Sequence, residues 1–336
     1  MATSFALDSS LLSKLDDRKR RNQPRWDADI IHPDDAGDFF SCDYLSLSRH
    51  PHLRQKFLGT LASEPRLLGS TGSRALTGST TSHIGLEKYL AEELGVEKTM
   101  VYVSGYTANI TFFGESAHVV VDEAHSIGLY GPGGKGLVRA WGLEKRVHTV
   151  MMTFTKTLNF TGGVITMNST VYEYLSNHSV PWMFTSAPAH VDMIGMKFCF
   201  DVLKSPEADR LRETVMDLSH FFMSHFAQST RDIPKSVLSL LNSETKNLNS
   251  RGLISPIFAI FSPDVVALQN HLNKKGYAAR ALAPPAVPRG KERLRIVIHA
   301  GNSQEQIKSL VEALREWALA QDSNVFKQDG ALRSKL

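Results

Sequence analysis

The chain is expected to fold as α/β layers in both of its halves, and three observations predict this. Apolar runs of strand length alternate with stripes of helical period along most of the 336 residues, a pattern that builds layered α/β domains. Hydrophobic residues make up 42% of the chain, enough for a sizeable core, and charged residues of both signs are mixed through it at 21%. The rhythm of the pattern changes near 190–205, where a boundary between two domains is expected.

The elements follow in order. Leu11, Leu12 and Leu15 give a short apolar stripe on a predicted N-terminal helix, and Pro24 and Pro33 break its continuation into an irregular arm, 1–45. Residues 66–82 are rich in Gly, Ser and Thr. Composition reads them as a linker, position reads them as a structured loop facing a ligand, and both readings stay open. A helix follows, with Ser82 as its cap, Leu86, Tyr89, Leu90 and Leu94 on one face, and Gly95 as its stop. Strands are predicted at 99–104, running into Gly105; at His118–Val121, buried and ending at Asp122; and at Val147–Phe154 and Gly163–Met167. A long helix over 207–228 places Leu211, Val215, Leu218 and Phe222 on one face. A strand near Ile254–Phe261, a helix near Asp264–Lys275 ending at Gly276, and a strand at Arg293–His299 come next. The last helix starts at Ser303 with Gln306 three residues on, a capping box, and turns Ile307, Leu310, Val311 and Leu314 inward. The expected domains are 46–200 and 201–325, with a flexible tail over 326–336.

Composition also narrows the functional classes. The net charge is only +4, and the basic run Arg18-Lys19-Arg20-Arg21 has no aromatic interleaving, which suits a solvated helix face better than nucleic acid. Cys42 and Cys199 are far apart and belong to no Cys-x-x-Cys pair, so a disulfide framework, a zinc site or any other metal centre is not expected. The first residues lack the apolar core of a signal peptide, and no stretch reaches the length of a membrane span. A soluble, intracellular protein is expected. The final Ser334-Lys335-Leu336 matches the address read by the peroxisomal import receptor.

Three segments carry chemistry: Ser104-Gly105-Tyr106-Thr107-Ala108-Asn109; Val120-Val121-Asp122-Glu123-Ala124-His125-Ser126-Ile127-Gly128; and Thr153-Phe154-Thr155-Lys156-Thr157-Leu158 followed by Thr161-Gly162-Gly163. An apolar run ending in Asp122, with His125 three residues later, puts both at the carboxyl end of a strand, where open α/β sheets bind ligands. A carboxylate there suits a ring N–H⁺; taken alone, Asp122 reads as a strand-terminal cap for the next turn. Lys156, flanked by threonines, suits an amine that attacks an aldehyde beside a phosphate; taken alone, it reads as a solvated charge. Gly105 lets backbone N–H groups approach a phosphate, and Tyr106 is placed to lie near a ligand ring. The run Gly131-Pro132-Gly133-Gly134-Lys135-Gly136 is a tight glycine-rich turn. A Walker loop requires glycine where Leu129 stands and Ser or Thr where Gly136 stands.

The order of these pieces resembles the α-oxoamine synthase branch of fold-type-I pyridoxal-phosphate (PLP) enzymes. The resemblance extends to Asp43-Tyr44-Leu45-Ser46-Leu47-Ser48-Arg49-His50-Pro51, to the glycine-rich run Gly69–Gly78, to Phe184-Thr185-Ser186-Ala187, and to Pro285–Pro288 followed by Arg293-Leu294-Arg295. It implies a three-layer α/β/α large domain with a mostly parallel sheet, a smaller α+β C-terminal domain, and PLP as cofactor. It implies that Gly105, Tyr106 and Thr153 contact the phosphate and its surroundings, that Asp122 pairs with the pyridine nitrogen, and that His125 hydrogen-bonds the ring hydroxyl. Lys156 would hold the cofactor as a Schiff base, and Ser186 would reach the phosphate of the partner subunit in a homodimer. Arg295 would bind the amino acid carboxylate, for which its bidentate fork is suited, and Arg25 would serve the acyl side. The implied reaction is condensation of an amino acid with an acyl-CoA, most like the branch that joins alanine to a pimeloyl thioester in biotin synthesis. Other branches, an aminotransferase, or a truncated inactive homologue are the alternatives.

The chain departs from the family in one place above all. Only residues 110–121 separate Asn109 from Asp122, where the family carries several tens of residues. Those residues bring more than one strand, a polar residue near the ring hydroxyl, and the histidine that stacks on the ring. His118 is the nearest histidine and lies in the strand run. Ala286 replaces a family threonine near the substrate.

Overall fold

The computed structural model of the chain describes residues 11–14, 16, 17, 20, 37–112, 119–241 and 253–333. Two compact units emerge: Cys42–Val215, and Met1–Ser41 together with Met216–Leu336.

The unit Cys42–Val215 is built on a four-stranded sheet of β1 (Lys98–Tyr102), β2 (Val120–Asp122), β3 (Thr149–Thr153) and β4 (Gly163–Met167), ordered β1-β4-β3-β2. Its helices are α1 (Pro51–Ser63), α2 (Thr81–Leu94), α3 (Gly105–Phe112), α4 (Leu137–Ala140), α5 (Ser169–His178), α6 (Val180–Phe184) and α7 (His190–Leu203), and α8 (Pro206–Ser229) begins within it. Strands β1, β2 and β3 point one way and β4 the other, so within this sheet only the β2–β3 ladder is parallel. The mostly parallel sheet implied by the resemblance is present, with three of the four strands running one way and β4 inserted antiparallel between β1 and β3. The link 154–162 between β3 and β4 is shorter than the roughly dozen residues that a parallel crossover takes, so β4 must return antiparallel.

Every residue of β3 and β4 is buried. Successive side chains of a strand face opposite ways. Met100, Tyr102, Met151, Ile165 and Met167 cluster with Ala108 of α3, Leu175 of α5 and Trp182 of α6. On the other face, the Thr99 hydroxyl donates to Glu87 O of α2 (2.7 Å). Strand β2 overturns one expectation. It is an edge strand, with Val120 and Val121 half-buried and Asp122 exposed, because no described strand pairs with its outer side. The residue preceding it, Val119, is 58% exposed. The cap of α2 is also corrected. It is Thr80, whose N–H and hydroxyl meet His83 Nδ1, while Ser82 turns its hydroxyl to His190. Gly95 ends α2 with φ of 60°, a conformation that favours glycine.

The other unit holds an antiparallel sheet of β5 (Ser239–Leu240), β6 (Ile257–Phe261), β7 (Arg280–Leu282) and β8 (Arg293–Val297), ordered β5-β6-β8-β7. Helices α9 (Val265–Lys274) and α10 (Gln304–Arg333) and the later turns of α8 bury Leu268, Leu272, Ile307, Leu310, Leu314 and Phe222 in one core with Phe258, Ile260, Leu294 and Ile296. The capping box of Ser303 and Gln306 is formed by both of its hydrogen bonds.

Three differences from the sequence expectation lie in this unit. The division falls after Val215 inside α8 rather than at 200. Residues 37–41, expected at the end of the N-terminal arm, belong here. Gly37–Asp38 pairs with Tyr277–Ala278, Phe39 is fully buried, and Asp38 O accepts from Asn302 Nδ2 and bonds His299 Nε2. Third, helix α10 continues to Arg333 where a flexible tail was expected; no proline after Pro288 interrupts it. Leu11 and Leu12 are helical but exposed. Leu15, His118 and Ser334-Lys335-Leu336 lie outside the described residues. Among the described residues, no helix is long and apolar enough to cross a membrane.

Candidate active site

Register explains why the chemical segments meet. Tyr102, Gly163 and Thr153 lie opposite one another across β1, β4 and β3, and Asp122 lies opposite Met151 on β2 and β3. Because β1, β2 and β3 share a direction, the segments that leave them (Gly105, the Asp122–Gly128 turn and Lys156) emerge at one end of the sheet. That end is the carboxyl side, where α/β sheets bind ligands.

Gly105 opens α3 directly against Thr153. A Cβ on Gly105 would stand 2.9 Å from the Thr153 Cβ and Oγ1, and one on Gly163 would stand 2.7 Å from the Gly105 Cα. Glycine at both positions is thus a packing requirement. Thr153 is buried, and its hydroxyl lies 3.2 Å from Gly162 O and 2.9 Å from the Thr155 hydroxyl. The corner offers hydroxyls and the first N–H groups of a helix, which together suit a phosphate.

Lys156 is half-buried on the turn that follows. Asn159 N–H donates to Lys156 O (3.0 Å), and Asn159 takes the left-handed conformation with φ of 52°. Beside the lysine, the buried Thr157 hydroxyl donates to Ile127 O (2.7 Å). A Cβ on Gly128 would come 2.2 Å from Thr157 Cγ2. The lysine turn and the aspartate turn are therefore packed as one piece.

On the aspartate turn, Asp122 Oδ1 accepts from Ala124 N–H (2.8 Å) and Oδ2 from Asn109 Nδ2 (2.9 Å). His125 is exposed, with its Nδ1 2.6 Å from the Tyr44 hydroxyl; Tyr44 itself is fully buried. Glu123 has a different task. Its carboxylate accepts from Leu137 and Val138 N–H at the start of α4 (2.9 and 2.6 Å), and burial pushes its pKa up against those hydrogen bonds. Tyr106, expected beside a ligand ring, is 76% exposed.

The glycine-rich run is a structured loop rather than a linker. Arg74 turns inward and pairs through both terminal nitrogens with Glu87 of α2 (2.9 and 3.0 Å). Ser73 bridges Ser186, and Ala187 N–H donates to Gly72 O (2.9 Å). Ser186 is exposed beside that bridge. Arg295 is half-buried on β8 and belongs to the other unit, and Arg25 lies outside the described residues. Gly131–Gly136 forms a tight turn in which Lys135 is held by Glu93.

Sequence reasoning missed four partners: Asn109, Tyr44 as the companion of His125, Asn159, and the Arg74–Glu87 pair. A signal existed for Asn109 alone, since it lies one helical turn after Gly105. The residues present fit PLP. Gly105 packs its backbone directly on Thr153, so the first N–H groups of α3 and the Thr153 hydroxyl lie together at the corner; Lys156 is the amine on the turn after β3, and two donors orient the Asp122 carboxylate at the strand end.

Comparison with known proteins agrees. The family model for aminotransferase class I and II matches residues 111–314. An 8-amino-7-oxononanoate synthase of Emericella nidulans is 25% identical over 382 aligned positions, covering 85% of this chain and 90% of that one. About a quarter of those positions thus face no residue of this chain. The aminoacyl transferase sphA of Aspergillus fumigatus is 24% identical, covering 84% of this chain and 81% of that one. Among solved structures, the serine palmitoyltransferase of Sphingomonas wittichii superposes with a TM-score of 0.73 at 18% identity, covering 96% of this chain and all of that one. The chain belongs to the class I and II aminotransferase family, with the type I fold of PLP enzymes, and is a PLP-dependent transferase of the α-oxoamine synthase kind.

Proposed function

We propose that this transferase condenses alanine with pimeloyl-CoA in biotin synthesis. The observation that carries a condensing role is the meeting of Gly105, Thr153, Lys156 and Asp122 at one end of the sheet. The choice of substrates is supported by the Emericella relative, named for 8-amino-7-oxononanoate synthesis. When bound, PLP supplies an electron sink for charge developing at the amino acid Cα. The chain's own residues do the rest. Gly105 N–H and the Thr153 hydroxyl bind the phosphate. Asp122 keeps the ring nitrogen protonated. With Nδ1 accepting the Tyr44 hydroxyl proton, His125 Nε2 carries its own proton toward the ring hydroxyl. Lys156 Nζ would hold the cofactor, and once the substrate amine has displaced it the free amine would be placed to take the Cα proton. Arg295 binds the substrate carboxylate, and Arg25 serves the acyl side.

The working form is a homodimer in which Ser186 serves the phosphate of the second copy. Leu76 and Phe184, 81% and 73% exposed on the two segments joined by the Ser73–Ser186 bridge, support such a contact. Ser334-Lys335-Leu336 directs the protein to peroxisomes through the import receptor; a fluorescent fusion that loses its punctate pattern when Leu336 is deleted tests this.

A second reading is a homologue that binds cofactor without turnover. It is favoured by the exposed position of Asp122 on an edge strand. CoA release with alanine and pimeloyl-CoA separates the two: turnover above a Lys156→Ala control supports condensation, and a rate equal to the control supports the second reading.

A further inference from the structure

We infer that Asn109 is a positioning residue, which acts on the cofactor by holding the Asp122 carboxylate toward the ring nitrogen. The inference rests on the placement of PLP against Asp122 proposed above. Asp122 ends a strand whose outer side no described strand covers, and its side chain is exposed. A carboxylate in that setting turns freely about two torsions unless something holds it, and fixing it at the moment of binding costs affinity. Two donors fix it beforehand. Ala124 N–H takes Oδ1 at 2.8 Å, and Asn109 Nδ2 takes Oδ2 at 2.9 Å. Each oxygen keeps a second lone pair for a ring N–H⁺.

The source of the second donor gives it meaning. Asn109 lies on α3, one turn beyond Gly105, which packs on Thr153 at the phosphate corner. One rigid helical turn therefore links the two anchors of the ligand, with a rise of about 6 Å between Gly105 and Asn109. The backbone donor comes from the aspartate's own turn and the β2–β3 ladder places only the main chain, so the amide of Asn109 is the side-chain contact that ties the Asp122 carboxylate to the helix at the phosphate corner. Asparagine supplies a neutral donor there. An aspartate of the same size would set a second carboxylate against the first, with the buried Glu123 already adjacent in the chain.

A double-mutant cycle on cofactor affinity tests this, with PLP titrated against the purified full chain and read by visible absorption. Melting of the cofactor-free proteins is followed in parallel. Asn109→Ala is expected to weaken PLP binding about tenfold, and the isosteric Asn109→Asp by more, with the cofactor-free melting temperature unchanged. In an Asp122→Asn background, Asn109→Ala should change affinity no further, because its effect passes through Asp122. Equal losses in both backgrounds overturn the inference, as does an Asn109→Asp protein that binds like wild type. Failure of wild type to bind PLP sinks the placement of the cofactor itself, and Asn109's role with it.

Discussion

Glu87→Ala removes both oxygens that hold Arg74. The guanidinium side chain is 4% exposed, so the change leaves a charge in the interior with no counter-charge. It retains Ser79 Oγ, 3.0 Å from Nε, and the Trp182 ring at 5.2 Å, neither of which neutralises it. Breaking a buried pair from one side costs about 3–5 kcal/mol. Val101 N–H loses its acceptor, Glu87 Oε1 at 2.9 Å, which adds about 1–3 kcal/mol for an orphaned buried donor. Together these come to about half or more of a typical domain's stability of about 5–15 kcal/mol. Urea unfolding followed by tryptophan fluorescence should show a lower midpoint for Glu87→Ala. The double variant Arg74→Met/Glu87→Leu should recover much of the loss, because no charge stays behind. An unfolding free energy for Glu87→Ala within about 0.5 kcal/mol of wild type, the range of ordinary surface changes, would refute the reasoning.

Three further outcomes are expected. Burial, followed by the charge of Arg74, lowers the pKa of His83 to about 4, and the neutral ring is bonded on both sides by Thr80 and Pro188 O. The unfolded chain binds the proton first, so His83 contributes nothing against pH above 6.5. As pH falls from 6.5 toward 4, wild type loses about 2–3 kcal/mol at this site, and His83→Gln should show a flatter profile in urea unfolding. Gly105→Ala forces a methyl against Thr153; overpacking of about 1–3 kcal/mol should weaken PLP affinity by tenfold or more, measured by titration. Phe184→Asp should convert a two-chain mass in light scattering to one chain, and a wild-type mass of one chain would contradict the dimer.

The site was legible where it is local. Gly105, Asp122, His125, Thr153 and Lys156 each stand beside a strand end, and strand ends show in the sequence as apolar runs meeting glycine or polar residues. The helices of the second half were legible for a similar reason, since their stripes are bought by one core. What escaped depends on distant partners. Whether 120–122 is buried is decided by the strands beside it, and those neighbours are not encoded in Val120 or Val121. The alliance of Gly37–Asp38 with Tyr277–Ala278 spans most of the chain and leaves no periodic trace. Arg74 lies in a run whose polar composition reads as linker or ligand loop, yet its partner is Glu87, buried on α2 beside Leu86, Leu90 and Leu94.

The proposed function requires Lys156 to hold PLP. The visible spectrum of the purified protein with added PLP reads this out. Wild type should show a band beyond that of the free cofactor, and Lys156→Ala should lack it while melting at the same temperature without cofactor. Identical spectra for the two proteins would contradict the account.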